Sequence, residues 1–159
     1  MTFELKSPAF KNNERIPKKH TGEGEDTSPA LSWTNAPAGA KSFAIIMDDP
    51  DAPVGLWIHW VIYDIPAKLT SLPEGVAKKE ILPDGSKHGV CWGVQDADCG
   101  RVGYYGPMPP PGKPHRYFFK LYALDSVLGL KPKAAKSDTL KAMKGHILAE
   151  APLVGIYER

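Results

Sequence analysis

Four apolar runs stand out from a chain otherwise broken by glycine and proline. The longest, Trp57-Ile-His-Trp-Val-Ile-Tyr-Asp-Ile65, holds three isoleucines, one valine and three aromatic residues before Pro66 ends it. A strand period of two places His59, Val61, Tyr63 and Ile65 on one face and Ile58, Trp60 and Ile62 on the other. Apart from His59 both faces are apolar, which predicts a central strand covered on both sides. Phe43–Met47, Tyr117–Leu124 and Leu153–Tyr157 read as further strands. Weaker ones are expected around Phe3–Leu5, Leu31–Trp33 and Val90–Gly93. One segment has a helical period. Ser137 suits an N-cap and Asp138 the positive end of the helix dipole. Leu140, Met143, Ile147, Leu148 and Ala151 then recur at helical spacing up to Pro152. A second, shorter helix is expected over 126–130.

Composition sharpens this picture. Gly and Pro number 15 and 16 among 159 residues. At that density there is little room for long helices, and a β-rich fold with structured loops is favoured. The length suits one domain spanning residues 1–159, and no linker or repeat divides it. Lys and Arg total 20 against 18 Asp and Glu, a net charge of +2. So small a surplus argues against nucleic acid as a partner, because phosphate contacts draw on an excess of cations. No apolar run reaches the ~20 residues of a membrane-spanning helix. The opening residues lack the basic and apolar regions of a secretory signal, so a cytoplasmic location is expected. Cys91 and Cys99 are spaced neither as a redox motif nor as a zinc knuckle. A local disulfide and two thiols both remain open, with thiols favoured in a reducing cytosol.

Candidate chemistry gathers in three places. Asp48-Asp49-Pro50-Asp51-Ala52-Pro53 sets three carboxylates in four positions and stiffens them with proline. It suits either an acidic surface turn or the wall of a pocket where close carboxylates shift one another's pKa. His59, in the middle of the apolar run with Trp57 two residues before it, must find a partner once buried. A core histidine satisfied by backbone is the plainer alternative. The third place, Gly103-Tyr-Tyr-Gly-Pro-Met-Pro-Pro-Pro-Gly-Lys-Pro-His-Arg-Tyr117, is a stiff loop that delivers His115 and Tyr117 to the start of a strand. Its Pro107-x-x-Pro110 and Pro111-x-x-Pro114 spacings also fit a polyproline ligand for a partner's aromatic groove. Signatures of P-loops, dinucleotide folds, nucleophile elbows, zinc proteases and calcium loops are missing from the sequence. Asp49, His59 and His115 have the residue types of a metal facial triad, although their spacing does not single that out.

The ordered set of these motifs resembles the phosphatidylethanolamine-binding protein family, also called the Raf kinase inhibitor protein family, in its bacterial and archaeal branch. The resemblance runs through Ser28-Pro-Ala-Leu-Ser-Trp33, Asp49-Pro-Asp-Ala-Pro53 and Trp57-Ile-His-Trp60 with Tyr63-Asp-Ile-Pro66. It continues in Gly103-Tyr-Tyr-Gly-Pro107 with Pro109-Pro110, His115-Arg-Tyr117, Leu121-Tyr-Ala-Leu-Asp125 and the closing segment 145–157. It implies a mainly-β antiparallel sandwich with one or two peripheral helices and a small anion pocket near the surface. Matched position by position, Asp49, Trp57, His59, Gly106, Pro107, His115 and Tyr117 should line that pocket, with Asp51 and Pro53 shaping one wall. The ligand so implied is phosphate or a phosphorylated head group such as phosphoethanolamine. The expected function is non-enzymatic, modulating a partner kinase or protease, with no cofactor and no resident metal. The oligomeric state stays open, a homodimer included. The rival reading is a metal-assisted hydrolase built on Asp49, His59 and His115. Two departures bear on the site: only Val54-Gly55-Leu56 separates Pro53 from Trp57, and the Cys91–Cys99 segment is unlike the family's usual stretch there.

Overall fold

The computed structural model describes residues 1–94 and 100–159. Its strands are β1 (Glu4–Lys6), β2 (Glu14–Arg15), β3 (Leu31–Thr34), β4 (Ser42–Asp49), β5 (Trp57–Pro66), β6 (Ser71–Leu72), β7 (Lys87–His88), β8 (Val90–Cys91), β9 (Gly93–Val94), β10 (Arg101–Val102), β11 (His115–Leu124) and β12 (Ile147–Tyr157). One α-helix, α1 (Lys136–Met143), lies between β11 and β12. The fold is thus mainly β, as the apolar runs and the glycine and proline content lead one to expect.

The large sheet is ordered β2-β12-β11-β4-β5-β7, with β9 also pairing with β5. A small sheet, β1-β3-β6, packs over one face. Between them lies a core that includes Trp33, Phe43, Trp60, Tyr104 and Phe119. A second cluster covers the other face, where Met143 of α1 and the partly buried Leu128, Leu130 and Ala134 meet Ile46, Val61 and Tyr63. The four long strands β4, β5, β11 and β12 are antiparallel neighbours. Asp49, Trp57, His115 and Tyr157 therefore share one end of the sheet, while Ser42, Pro66, Leu124 and Ile147 share the other.

Two departures from strict alternation matter. Ile58 joins Val61 and Tyr63 in one cluster, and Ile65 joins Trp60 and Ile62 in the other, so both ends of β5 switch faces. The pairing explains why. Asp48 faces Ile58 and Met47 faces Trp60, leaving His59 as the extra residue of a bulge. A second irregularity falls where Phe43 faces Ile65 and Ile45 faces Ile62, and there Asp64 takes a φ of 55°. Its carboxylate accepts hydrogen bonds from the Leu128 and Gly129 amides at 2.8 and 3.1 Å and from Lys87 Nζ at 3.1 Å. Those contacts hold the segment expected as a second helix over 126–130 in an irregular loop instead.

The helix expected from Ser137 to Ala151 is also shortened. α1 begins at Lys136, its N-cap position is Ala135, and Gly145 follows its end with a φ of 84°. From Ile147 the chain pairs with β11, so Ile147, Leu148 and Ala151 belong to a strand and their helical spacing is coincidental. Pro152 sits inside that strand, not beyond a helix. Val154, two residues later, donates its N–H outward to Asn12 Oδ1 at 2.8 Å. Parity turns the nitrogen of Pro152 the same way, so no bond to β11 is lost. No helix among the described residues is long and apolar enough to cross a membrane.

Candidate functional site

The end of the sheet where β4 stops and β5 and β11 start carries a cavity of about 250 Å³. This is smaller than the ~300–1,000 Å³ of sites that enclose drug-sized ligands. Of the residues singled out in the sequence, Asp49, Pro53, Trp57, His59, His115 and Tyr117 line it. Segments 49–59 and 108–117, far apart along the chain, thus meet at one place because antiparallel pairing brings their strand ends together.

Each polar group on the floor has a defined partner. The bulge at His59 aims its ring at the loop before β11, where Nδ1 lies 2.5 Å from the Tyr105 carbonyl oxygen. A carbonyl only accepts, so Nδ1 carries the proton and Nε2 is the ring's other, unprotonated nitrogen in the neutral form. The ring is 3% exposed. Burial pushes its pKa down to about 4, with the Tyr105 carbonyl and the charge of Asp49 opposing the shift. His115 Nδ1 donates to Asp49 Oδ2 at 2.7 Å. Asp49 Oδ1 accepts the Asp51 amide at 2.7 Å. The Tyr117 hydroxyl stays protonated far above its ordinary range, first because it is buried and then because Asp49 stands beside it as charge and hydrogen-bond acceptor. Asp49 is therefore occupied by three donors and orients its neighbours from behind. The Tyr117 ring lies between the imidazoles, edge-on to His59 with centroids 5.2 Å apart and stacked at 6.4 Å with His115.

Three expected residues take other places. Asp51 faces the adjoining groove, where its two oxygens grip Arg116 Nε and Nη2 at 2.9 Å each. The guanidinium holds the Asp51 carboxyl down at about 2. Gly106 and Pro107 stand behind the cavity. The Gly106 amide donates to Asp26 Oδ1 at 2.7 Å, and the Pro107 carbonyl accepts the Gly22 amide at 2.8 Å. They face the 20–26 loop because a closely packed glycine backbone is needed there, and they steady Tyr105, which in turn holds His59. In their stead Met108, Pro109 and Pro110 form the wall. Trp92, Ala52 and Val54 complete it. Ala52, Met108, Pro109 and Pro110 fall inside segments singled out in the sequence but were not themselves expected in the lining, whereas Trp92, at edge-on distances of 5.5 Å from Trp57 and 5.4 Å from His59, belonged to no motif and is a large part of the aromatic lining.

The rival chemistries fare unevenly. Asp49 backs onto Nδ1 of His115, so the three candidate ligands do not turn toward a common point. Among the described residues no group of three His, Cys, Asp or Glu side chains is placed to hold a metal ion. Among the described residues, no Ser, Thr, Cys or Lys lines the cavity. The proline loop is half committed: Gly106, Pro107 and Pro109 are buried, whereas Pro110–Pro114 is exposed. The disulfide question lies outside the described residues, because Cys99 does.

Comparison with known proteins identifies the family and agrees with the fold. The sequence profile of the family described as phosphatidylethanolamine-binding protein matches residues 6–158. A UPF0098 protein of Methanothermobacter thermautotrophicus is 53% identical over 157 residues, covering 99% of both chains. One from Aquifex aeolicus is 49% identical, over 99% of this chain and 89% of that protein. Among solved structures, a putative phosphatidylethanolamine-binding protein homolog, CT736 from Chlamydia trachomatis, matches with a TM-score of 0.86 and 39% identity over 99% of this chain and 98% of that one. E. coli YbcL, described as a member of the mammalian family, matches with a TM-score of 0.86 and 32% identity over 100% and 99%.

Proposed function

We propose, from the premise that this chain belongs to the phosphatidylethanolamine-binding protein family, that its cavity binds phosphate or a phosphorylated head group without transforming it. The observation that carries this reading is the pair of imidazoles, His59 and His115, each tied through Nδ1 and each lining the same small cavity. With Nδ1 committed, Nε2 is the nitrogen left on each ring to meet a ligand. Hydrogen bonds to charged groups contribute roughly 1.5–3 kcal/mol each. Two of them, less the cost of association, suit a Kd between about millimolar and micromolar for a bare head group. The aromatic and proline walls exclude water around it. A site of this size and strength reads a head group or a phosphorylated side chain, and through such a group the protein engages a partner, a kinase or a protease.

Titration of the full chain with phosphate, phosphoethanolamine and phosphoserine peptides at pH 6.5, following the His59 and His115 ring signals by NMR, tests the proposal. Saturable shifts of both rings are expected. Unchanged spectra at tens of millimolar ligand would refute it. Substituting His115→Ala is expected to weaken anion binding by about ten- to a hundredfold while lowering stability by only about 1 kcal/mol. Asp49 keeps its other donors in that variant. Equal losses in affinity and stability would make His115 a structural residue.

A further inference from the structure

Building on the anion reading above, we infer that the cavity takes its oxyanion with a proton still on it, as the monoanion of a phosphate monoester that donates its own O–H to His59 Nε2. The geometry of His59 leads there. Nδ1 donates to the Tyr105 carbonyl at 2.5 Å, so a neutral ring shows the cavity an acceptor and no donor. Burial keeps the ring neutral at ordinary pH, since its pKa is pushed down to about 4.

The surroundings do not supply the missing positive charge. Facing His59 are Asp49 from β4, Asp26 from the 20–26 loop, Tyr117 from β11, and Trp92 beside β9. Two of these are carboxylates and none is a cation. His115, the other imidazole of the cavity, also spends its Nδ1 proton on a carboxylate, and its Nε2 donates only when the ring is fully protonated. Among the described residues, no Lys or Arg lines the cavity. Arg116 and Lys113 line the adjoining groove, and Arg116 is already bound to Asp51. An oxyanion stripped of protons would place oxygen lone pairs against the lone pair of Nε2, beside Asp49. One retained proton turns that repulsion into a hydrogen bond and halves the charge of a phosphate dianion.

Selectivity follows. Sulfate has the shape of phosphate but carries no proton near neutral pH, so it cannot satisfy His59. A phosphate monoester loses its second proton near pH ~6, so binding should weaken as the pH rises beyond that point, by a limiting factor of about ten per unit.

The test measures binding of methyl phosphate and of sodium sulfate to the unmodified full chain, by calorimetry and by NMR of both histidine rings, from pH 6 to pH 8.5. Expected are at least tenfold tighter binding of methyl phosphate than of sulfate at pH 6 and a steep loss of methyl phosphate affinity above pH 7, where the ester has lost its last proton. Sulfate binding as tightly as methyl phosphate, with the same pH dependence, would place the titrating proton on the protein and overturn the inference. Methyl phosphate affinity that is flat or rising with pH would overturn it too. If neither anion perturbs either ring at any pH, the anion reading itself fails, an outcome distinct from both.

Discussion

Lowering the pH from 7 to 4 is expected to remove about 3 kcal/mol of folding stability through His59 alone. A histidine in an unfolded chain titrates near 6.5, whereas the buried ring in the fold is held down to about 4. Above 6.5 the ring is neutral in both states and adds no pH dependence. Between 6.5 and 4 the unfolded chain takes up the proton and the folded one does not, so stability falls steadily; below 4 both are protonated and the loss levels off. His88 acts in the same direction, since burial lowers its pKa as well. Its Nδ1 lies 2.6 Å from the Lys79 carbonyl and its Nε2 accepts the Trp60 indole N–H at 3.0 Å, so a second ring proton would break the latter bond. Asp48 opposes them. Burial raises its carboxyl, so protonation in the fold returns some stability as the pH falls. Asp51 belongs to a different window: its pKa is depressed, so its contribution is complete above about 4 and lost only toward 2. Urea denaturation at several pH values in phosphate-free buffer, together with an NMR titration of His59, measures the effect. A flat profile between pH 6.5 and 4.5, or a His59 ring titrating near 6.5, would contradict it.

Substituting Gly106→Ala is expected to cost about 3 kcal/mol, from overpacking and from disturbing a charged hydrogen bond. A Cβ there would lie 2.1 Å from the His20 carbonyl oxygen, 2.8 Å from Asp26 Oδ1 and 2.9 Å from the Tyr104 hydroxyl. The carbonyl is backbone and cannot swing aside. Asp26 is the acceptor of the Gly106 amide, and the Tyr104 hydroxyl donates to the same His20 carbonyl at 2.6 Å. Displacing residue 106 also shifts Tyr105, so the variant should move the His59 ring signals and weaken phosphate binding even though Gly106 does not line the cavity. Gly39→Ala is the control, because the nearest atom to a Cβ there is a Leu148 methyl at 3.6 Å. It should stay within about 0.5 kcal/mol of the parent. Denaturation curves of both variants decide the matter, and a Gly106→Ala protein as stable as Gly39→Ala would show that the loop gives way freely.

The long strands were legible because their apolar runs are long and bounded by proline and glycine; β4, β5 and β11 emerge with small extensions at their ends. The short ones, such as Glu14–Arg15 and Lys87–His88, carry no hydrophobic pattern and exist only through pairing with a neighbour already in place. The helical spacing of Ile147, Leu148 and Ala151 misled because a local period competes with a ladder of nonlocal hydrogen bonds to β11, and the ladder wins. Alternation assigned the middle of β5 correctly and failed at its ends, since nothing in a period of two announces the extra residue at His59. The same limit applies to the site. His59, His115, Asp49 and Tyr117 stood out as polar or aromatic residues in a recognisable order. Trp92 and Met108 did not, because a side chain that merely closes a wall has no chemical signature in one dimension. Gly106 and Pro107 lay close in sequence to the right place, but the carbonyls and carboxylate they pack against come from the 20–26 loop, some eighty positions earlier.

The proline within β12 bears on how this molecule coexists with copies of itself. β2 covers the outer margin of β12 only at Gly155 and Ile156, and the bared stretch before it carries Ile147 and Leu148, each more than two-fifths exposed. Such a greasy, unpaired border is a template on which another chain's strand can zip, the first step toward aggregation. Pro152 interrupts that template by withholding one of the amide hydrogens an incoming strand would need, and the exposed carboxylate of Glu150 adds charge two residues away. The imide ring thus acts as a gatekeeper, keeping a seven-stranded sheet from becoming an endless one.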